Sequence, residues 1–338
     1  MGKLHYKNSS KNKNINLVAV ADLKKSNLKI ANKNNVKKYT DYKEMIEKEK
    51  LDAVIISLPN FLKKESSLYA IENNLSIFID KPLARNLSEA EEIVKRAKKS
   101  NTHITVGTNY RYYKSIQKIK KIIDDGNIGQ PVLATSDLIM DGPFSHPLVP
   151  AQVAEWWFNK ELSGGGAVLD LGYHLLDLLT WFFGELQVEY TAIDNRYNLE
   201  IEDAATILLK SKSGTRCNVN VGWYSKMLFP NFNFRVNVHG TVGNTSTDEF
   251  APRNMYINAA KEGIKNGLRR ITAQRIEYLS YTYYYTSFYK ILDEFINSLQ
   301  KGTPSPISLD DQLHVMKTMD KIYNMAEWKN IESNFKSK

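Results

Sequence analysis

The first third of the chain alternates short apolar runs with segments in which apolar residues recur at helical spacing. The apolar runs predict buried strands at 17–21, 53–56, 75–79 and 104–106, and the amphipathic segments predict helices at 42–50, 62–73 and 88–99. In the last of these helices, Ser88 and Glu91 have the spacing of a capping box. Because strand and helix alternate, the pattern predicts a doubly wound α/β domain with a parallel sheet.

The pattern changes after residues 126–131, a Gly- and Pro-containing segment. Long alternating runs predict an open antiparallel sheet with one covered face at 132–139, 188–197, 204–210, 216–223 and 234–239. A hydrophobic helix at 168–183 closes at Gly184, and two more helices are predicted at 287–300 and 309–328. The fold class is therefore α/β followed by α+β, with domains at 1–125 and 126–338 and the final helices packing on either domain.

Charge and composition exclude several classes of protein. Residues 1–125 carry 26 Lys and Arg against 14 Asp and Glu, a net +12, whereas residues 126–338 carry 20 against 23, a net −3. The basic excess is scattered lysine, which does not resemble a nucleic-acid face of clustered arginines and aromatics. A single cysteine excludes a disulfide framework. Neither an apolar leader nor a run of about 20 apolar residues is present, so we expect a cytoplasmic protein without membrane contact.

A doubly wound domain suggests a bound nucleotide, but G-x-G-x-x-G is absent from the sequence. Gly2 does lie 20 residues before Asp22, which closes the first apolar run. That is about the distance from a glycine loop to the acid that binds the adenosine ribose. Asp22 could equally be a turn residue. If the spacing is meaningful, either a strand and the rest of the loop precede Met1 or the loop is degenerate.

Lys81 lies in Asp80-Lys81-Pro82, directly after a buried run. Proline restricts the residue before it to extended backbone, which would hold Lys81 at the carboxyl edge of the sheet, where ligands of such sheets bind. A surface turn is the alternative interpretation.

Asp170 and His174 follow a run of three glycines and are spaced i, i+4, so a helix would place both on one side. Because an unpaired polar group is costly to bury, the two residues should serve each other or a ligand. Histidine is the natural general base near neutral pH, and a nearby carboxylate could orient it. A satisfied core His–Asp pair is the alternative. Asp177 could join them as metal ligands with His146, but no second histidine or cysteine lies at ligand spacing, and we predict no metal.

Taken together, these motifs resemble the Gfo/Idh/MocA family of NAD(P)-dependent oxidoreductases. The resemblance runs over nearly the whole chain, through the segments at 18–22, 52–60, 80–82, 107–111 and 164–177. It implies a Rossmann domain followed by an open-sheet domain that forms a homo-oligomer, a dimer or tetramer. It also implies hydride transfer between a nicotinamide and a ring hydroxyl of a sugar, an inositol or a sugar nucleotide.

The resemblance assigns roles to individual residues. It implies that Lys81, Asp170 and His174 are catalytic, with His174 transferring the proton. The implied cofactor-binding residues are Gly2, Asp22, Pro59, Asn60, Asp80 and Lys81, with Asp22 favouring NAD over NADP. Asp80 stands where the family has glutamate, and Lys63 stands where many members have histidine and receives no role. The missing glycine loop is the main departure, and about ten further residues should precede Met1.

The substrate is less well defined. Arg111, His174 and the paired Trp156 and Trp157 are the candidate substrate residues, since tryptophan can stack on a sugar face. Basic residues at 261–275 could receive a diphosphate, which favours a nucleotide sugar such as a UDP-N-acetylhexosamine oxidised at C3. An NAD-dependent glycosidase of the same fold and a non-catalytic ligand-binding relative are the alternatives.

Overall fold

The computed structural model describes residues 1–33, 35–140, 154–223, 233–249, 255–272 and 282–328. The strands are β1 Ala19–Ala21, β2 Lys37–Tyr39, β3 Ala53–Ile56, β4 Ser76–Ile79, β5 Ile104–Val106, β6 Pro131–Ile139, β7 Leu186–Asp194, β8 Ala204–Ser211, β9 Arg216–Gly222, β10 Asn233–Gly240, β11 Asn244–Ser246 and β12 Glu327–Trp328. The α-helices are α1 Gly2–Lys11, α2 Tyr42–Lys48, α3 Asn60–Glu72, α4 Leu87–Ser100, α5 Lys114–Asp124, α6 Lys160–Ser163, α7 Tyr173–Phe183, α8 Met255–Ile271, α9 Thr282–Lys301 and α10 Leu309–Met325.

The four predicted strands of the first domain are confirmed as β1, β3, β4 and β5. Among the strands and α-helices of this domain, α1, β2 and α5 were not predicted, and the first two carry no apolar pattern of their own. The buried residues of α1 are His5, Asn8 and Ser9, all polar, so the segment lacks the apolar stripe that marks a packed helix. Strand β2 begins with two exposed lysines and has no apolar run. Both elements are held by their neighbours rather than by their own hydrophobicity.

All strand pairs of the first domain are parallel, as predicted, but they form two groups. Strand β1 pairs with β2, and β3, β4 and β5 form a second group. Between the facing edges of β1 and β3 lies a cavity of about 580 Å³. Its lining includes both strands, α1, and Leu292, Phe295 and Ile296 of α9. The half-buried apolar residues of β1 and β3 therefore face a space between two parallel strand edges.

The cap of α4 differs from the prediction. Asn86, not Ser88, is the N-cap residue, and its side-chain oxygen accepts a hydrogen bond from the backbone N–H of Glu89 at 3.0 Å. Asparagine is as good an N-cap as serine, and the N-cap lies two residues earlier than the Ser88 spacing indicates.

The second domain contains, within the described residues, a seven-stranded sheet in the order β11-β10-β6-β9-β8-β7-β12. The alternating runs are confirmed as strands, but the expectation of a purely antiparallel sheet is wrong. Strands β6 and β9 are parallel, as are β7 and β12. β9 follows β8 in a hairpin and must run against it, whereas β6 is far away in sequence and its direction is set by packing. Helix α7, buried almost throughout, contacts β6 and β7.

The C-terminal helices pack on both halves of the molecule. Ile291, Leu292 and Phe295 of α9 are buried together with Phe78 of β4. Helix α10 contacts both α4 and α7. These helices follow the sheet in sequence yet complete the core beneath the first domain. The boundary at residues 125 and 126 stays a prediction.

Candidate active site

Lys81 extends from the carboxyl end of β4 toward the second domain. Its Nζ donates hydrogen bonds to the carboxylate of Asp170 at 2.8 Å and to the backbone oxygen of the same residue at 2.6 Å. Each of the two side chains is 21% exposed, so the pair is partly open to solvent. The structure thus joins two of the predicted catalytic residues across 89 positions of sequence.

Asp170 lies on a π-helical turn, Val168–Gly172, that runs directly into α7. Its second carboxylate oxygen accepts a long hydrogen bond from Nε1 of Trp223 at 3.4 Å. Among the hydrogen bonds of the described residues, none joins Asp170 to His174, so the expected mutual pair is replaced by the contact with Lys81. A π-helical turn winds more widely than an α-helix, and residues four apart no longer lie directly above one another.

His174 is buried and stacks on the ring of Tyr110, with ring centroids 4.0 Å apart and an angle of 15° between the planes. Burial, and to a smaller extent the charge of Lys81, holds the pKa of His174 well below its usual value. The imidazole is therefore neutral at physiological pH and can accept a proton. Its Nδ1 is buried and has no hydrogen-bond partner within the part of the chain that the structure describes.

Asp80 points away from Lys81 into the first domain. Its carboxylate contacts Nε2 of His5 at 2.7 Å and accepts a hydrogen bond from the hydroxyl of Ser57 at 2.6 Å. Burial alone would raise the pKa of Asp80, but His5, Ser57 and the charge of Lys63 together lower it to about 2. Asp80 is thus a buried anion that ties α1 and β3 to the turn carrying Lys81.

Sequence reasoning missed the groups that support this turn, namely His5, Ser57 and Lys63. Lys63 is buried, and its Nζ donates to the backbone oxygens of Asp80 at 2.7 Å and Pro82 at 2.9 Å. A lone histidine in an otherwise polar first segment was the available signal for His5. Ser57 and Lys63 offer no local signal.

The glycine run before Asp170 is required by close packing. A Cβ atom on Gly166 would clash with the backbone oxygen of Glu202, and one on Gly165 would clash with the hydroxyl of Tyr323. Glu202 is buried and accepts hydrogen bonds from the backbone N–H groups of Gly166 at 2.8 Å and Val168 at 2.9 Å. Burial raises the pKa of Glu202, opposed by these bonds and by Tyr323. Glu202, which sequence reasoning also missed, holds the start of the turn that carries Asp170.

The predicted cofactor residues lie around the carboxyl edge of β1 and β3. Gly2 is the first residue of α1, and the cavity lining contains it together with Asp22 and Ser57. Asp22 accepts hydrogen bonds from the backbone N–H of Lys24 at 2.8 Å and the side chain of Asn27 at 3.0 Å. A helix N-terminus beside a strand-end carboxylate suits a dinucleotide, because the helix end attracts phosphate and the carboxylate can bind ribose hydroxyls.

Pro59 and Asn60 lie at the start of α3, on the same edge. Pro59 is the N-cap residue, and the Asn60 side chain donates a hydrogen bond to the backbone oxygen of Ser163 at 2.8 Å. Asn60 therefore connects the first domain to α6 in the second.

Arg111 does not face the site that holds Lys81 and His174. It is 4% exposed and forms a bidentate ion pair with the carboxylate of Asp177 at 2.7 and 2.9 Å. Its guanidinium also contacts the carboxylate of Asp311 at 3.4 Å. Asp177 is fully buried and also accepts from Gln312. The guanidinium already binds two carboxylates within the fold, so we assign no substrate role to Arg111.

The two tryptophans differ in their surroundings. Trp156 packs edge-on against Phe61 of α3 at 6.2 Å, close to Asn60, whereas Trp157 packs on the hydrophobic core. His146 lies outside the described residues, as does Arg275 of the basic run, whose other members lie on α8. No cluster of three or more His, Cys, Asp or Glu side chains suited to a metal ion occurs among the residues that the structure describes. Over the same residues, none of the helices is both long and apolar enough to cross a bilayer.

Two family models match the chain consecutively. Residues 1–108 match the NAD-binding Rossmann fold of the GFO/IDH/MocA oxidoreductase family, and residues 116–246 match the GFO/IDH/MocA C-terminal domain. The chain belongs to this family. Myo-inositol 2-dehydrogenase of Thermotoga maritima is 25% identical over 92% of this chain and 89% of its own length. 1,5-Anhydro-D-fructose reductase of Ensifer adhaerens is 27% identical over 61% of this chain and 60% of its own.

Solved structures agree on the fold. Myo-inositol 2-dehydrogenase from Lactobacillus plantarum aligns with a TM-score of 0.77 and 23% identity, over 96% of this chain and 93% of that one. The WlbA dehydrogenase from Bordetella pertussis, solved with NADH and UDP-GlcNAcA, aligns with a TM-score of 0.78 and 19% identity, over 96% and 92%. The protein is thus an NAD-dependent oxidoreductase of the sugar and polyol dehydrogenase family.

Proposed function

We propose that this enzyme transfers hydride between NAD and a ring hydroxyl or ketone of a sugar, and that the sugar is part of a nucleotide of the UDP-N-acetylhexosamine kind. The observation that carries the proposal is the contact of Lys81 with Asp170 at one edge of the first sheet, with His174 near enough for the charge of Lys81 to lower its pKa. A cation held by a carboxylate, beside a neutral imidazole, can bind a hydroxyl and take its proton.

Bound NAD would supply the hydride acceptor for oxidation and, when reduced, the hydride donor for the reverse reaction. The chain itself handles the proton. Lys81 would donate a hydrogen bond to the reacting oxygen and favour its negative charge, because its Nζ is a partly exposed cation at this edge. His174 accepts the proton, since its imidazole is neutral. Asp170 holds Nζ in place through its side-chain and backbone oxygens.

The cofactor would be held by Gly2, Asp22, Pro59, Asn60, Asp80 and Lys81. Asp22 supports a preference for NAD, since a carboxylate at the strand end binds two ribose hydroxyls and repels a 2′-phosphate. Asp80 acts indirectly, because its carboxylate faces His5 and Ser57 rather than the edge of the sheet.

Two observations support a sugar nucleotide. Trp156 is half-buried beside Phe61, at the start of α3, and offers an aromatic surface of the kind on which sugar rings stack. In addition, the WlbA dehydrogenase, whose structure contains NADH and UDP-GlcNAcA, has the same overall fold. The inositol dehydrogenases among the relatives make a free polyol the competing substrate class.

We also propose that the enzyme is a homo-oligomer assembled through the outer face of the seven-stranded sheet. Leu133, Tyr190 and Leu208 are 40%, 51% and 40% exposed, and register places them on one side of the sheet. Exposed apolar residues on one sheet face favour association with a second copy of the chain.

The test is turnover of purified protein with NAD and with NADP, followed at the absorbance of the reduced nicotinamide, over a panel of UDP-hexosamines, free hexoses and inositols. We expect NAD reduction with UDP-N-acetylhexosamines and none with free inositol. Reduction with inositol alone would overturn the nucleotide-sugar proposal. Release of free sugar from a glycoside without net NADH would indicate a glycosidase instead.

A further inference from the structure

Lys63 is a fully buried lysine without a carboxylate partner at hydrogen-bond distance. It lies in the first turns of α3 and is 1% exposed. Its Nζ instead donates to two backbone oxygens, those of Asp80 at 2.7 Å and Pro82 at 2.9 Å. These two oxygens flank Lys81 in sequence. The side chain of Lys63 therefore binds the backbone on both sides of the proposed catalytic lysine.

The two carbonyl groups depend on this contact. Among the hydrogen bonds of the described residues, Lys63 is the partner of the oxygens of both Asp80 and Pro82. A buried carbonyl without a donor costs about 1–3 kcal/mol. Without Lys63 the turn would therefore reorient to find other donors, and the Lys81 side chain would move with it.

The pKa of Lys63 is set by its burial and by two neighbouring charges of opposite sign. Burial lowers its pKa most, the nearby Asp80 carboxylate raises it and the Lys81 ammonium lowers it, which leaves the pKa at about 7. His5 faces the same cluster, through Asp80, and Tyr173 faces it through the N–H of Leu83 at 3.3 Å. The group beneath the turn can thus change charge near physiological pH.

We propose that Lys63 is a positioning residue that places Nζ of Lys81 against Asp170 by fixing the backbone on both sides of Lys81. The inference rests on the proposed role of Lys81 in proton transfer. Lys63 acts through Lys81, because it is buried and its Nζ donates to the backbone oxygens of Asp80 and Pro82.

Two substitutions separate hydrogen bonding from charge. Lys63→Met keeps the length and removes both, whereas Lys63→Gln keeps two N–H donors without a charge. Lys64→Met is the matched control, because Lys64 is the next residue of the same helix and forms a partly exposed ion pair with Glu92 at 2.5 Å. For each variant, kcat, KM, NADH affinity and Tm are measured between pH 5.5 and 9.

We expect Lys63→Met to lower kcat by about tenfold or more, since misplaced catalytic groups cost rate even when the substrate still binds. NADH affinity should stay within twofold, and Tm should fall by several degrees, because two buried carbonyl groups lose their donor. Lys63→Gln should recover most of kcat, because its amide keeps two N–H donors. Lys64→Met should match the unchanged enzyme. Equal kcat for Lys63→Met and Lys64→Met would overturn the proposal.

A second readout does not require turnover. With ¹³C-labelled lysine, the Cε resonance of Lys63, assigned by its loss in Lys63→Met, should titrate near pH 7. The Cε resonance of Lys81, assigned with Lys81→Met, should shift in Lys63→Met and stay unchanged in Lys64→Met. An unmoved Lys81 resonance would overturn the positioning role, even if the substrate proposal proved correct. A shifted resonance with no turnover on any sugar would refute only the proposed function.

Discussion

At the scale of single residues, ion pairs between a basic and an acidic side chain have different roles according to their exposure to solvent. Lys81 and Asp170 are each 21% exposed in their side chains and can reach a ligand. Arg111 and Asp177 are 5% and 0% exposed and can only hold the fold together. Asp80 and Lys63 are buried next to the turn that carries Lys81. Exposure, rather than residue type, separates the Lys81–Asp170 pair from the buried charged groups that support it.

His174→Ala should lower kcat by about 10²–10⁴-fold, the usual contribution of a positioned acid–base group. NADH affinity should be nearly unchanged. His239→Ala is the control, because His239 is exposed on β10, in the other sheet. Steady-state kinetics with the substrate identified in the panel would check this prediction. Equal kcat in the two variants would remove His174 from proton transfer.

The burial of Lys63 should make stability rise with pH. Burial lowers the pKa of Lys63 in the folded protein to about 7, whereas an ordinary exposed lysine has a pKa of 10.5. Between these pH values the unfolded chain therefore binds more protons than the folded one. Unfolding must then become harder as pH increases, by about 1.4 kcal/mol per pH unit at most. Urea unfolding should show that the wild type gains about 2 kcal/mol relative to Lys63→Met between pH 7 and 9. A constant difference would contradict this prediction.

At the scale of elements, backbone contacts orient the site. The glycine run meets Glu202 and Tyr323, and this contact holds the π-helical turn of Asp170 against β9. In the first domain, β1 and β3 face each other across the cavity with unpaired edges. The glycine run is thus tightly packed against its neighbours. The gap between β1 and β3, by contrast, has room for a further strand.

Gly166→Ala should destabilise the protein by about 1–3 kcal/mol, because the new Cβ would collide with the backbone oxygen of Glu202. It should also lower kcat, since Asp170 lies four residues further along. Gly267→Ala is the matched control. Gly267 lies in α8 with nothing within 4 Å of an added Cβ, so alanine should stabilise that helix slightly. Thermal unfolding that ranks the two variants in the opposite order would refute the packing argument.

The expectation that a strand and a glycine turn belong before α1 stays a prediction. Joining a five-residue β-branched strand and Gly-x-Gly to Met1 should fill the cavity, pair both edges and raise Tm by several degrees. NADH affinity, read by energy transfer from tryptophan, should rise at least tenfold. An extension of equal length with prolines in the strand is the control. Equal Tm and affinity for the two extensions would show that the cavity does not take a strand.

At the scale of the whole molecule, the C-terminal helices link the two domains. α9 packs beneath β4, and α10 bridges α4 and α7, so the edge that carries Lys81 and the turn that carries Asp170 are held by the same pair of helices. This leaves the outer face of the large sheet, with Leu133, Tyr190 and Leu208, for contact between copies.

Leu208→Glu should shift the protein toward monomer, because charges placed in an apolar interface are costly to desolvate. Ile264→Glu is the control, since Ile264 is an equally apolar residue that is 69% exposed on α8 rather than on a strand of this sheet. Light scattering coupled to size exclusion would give the mass of each variant. A monomeric wild type, or equal masses for both variants, would refute assembly through the sheet.

The sequence by itself determined four of the five strands of the first domain, the alternating strands of the second and the candidates Lys81, Asp170 and His174. These depend on local patterns, since apolar runs report burial and motif spacing reports chemistry. Only the tertiary structure decided that His5 meets Asp80 across 75 residues and that Glu202 meets the glycine run across 36. The same holds for the parallel pairing of β6 with β9 and for the burial of Lys63 and Arg111. Such contacts are set by how distant elements pack, and no local pattern records which buried partner a polar side chain will find.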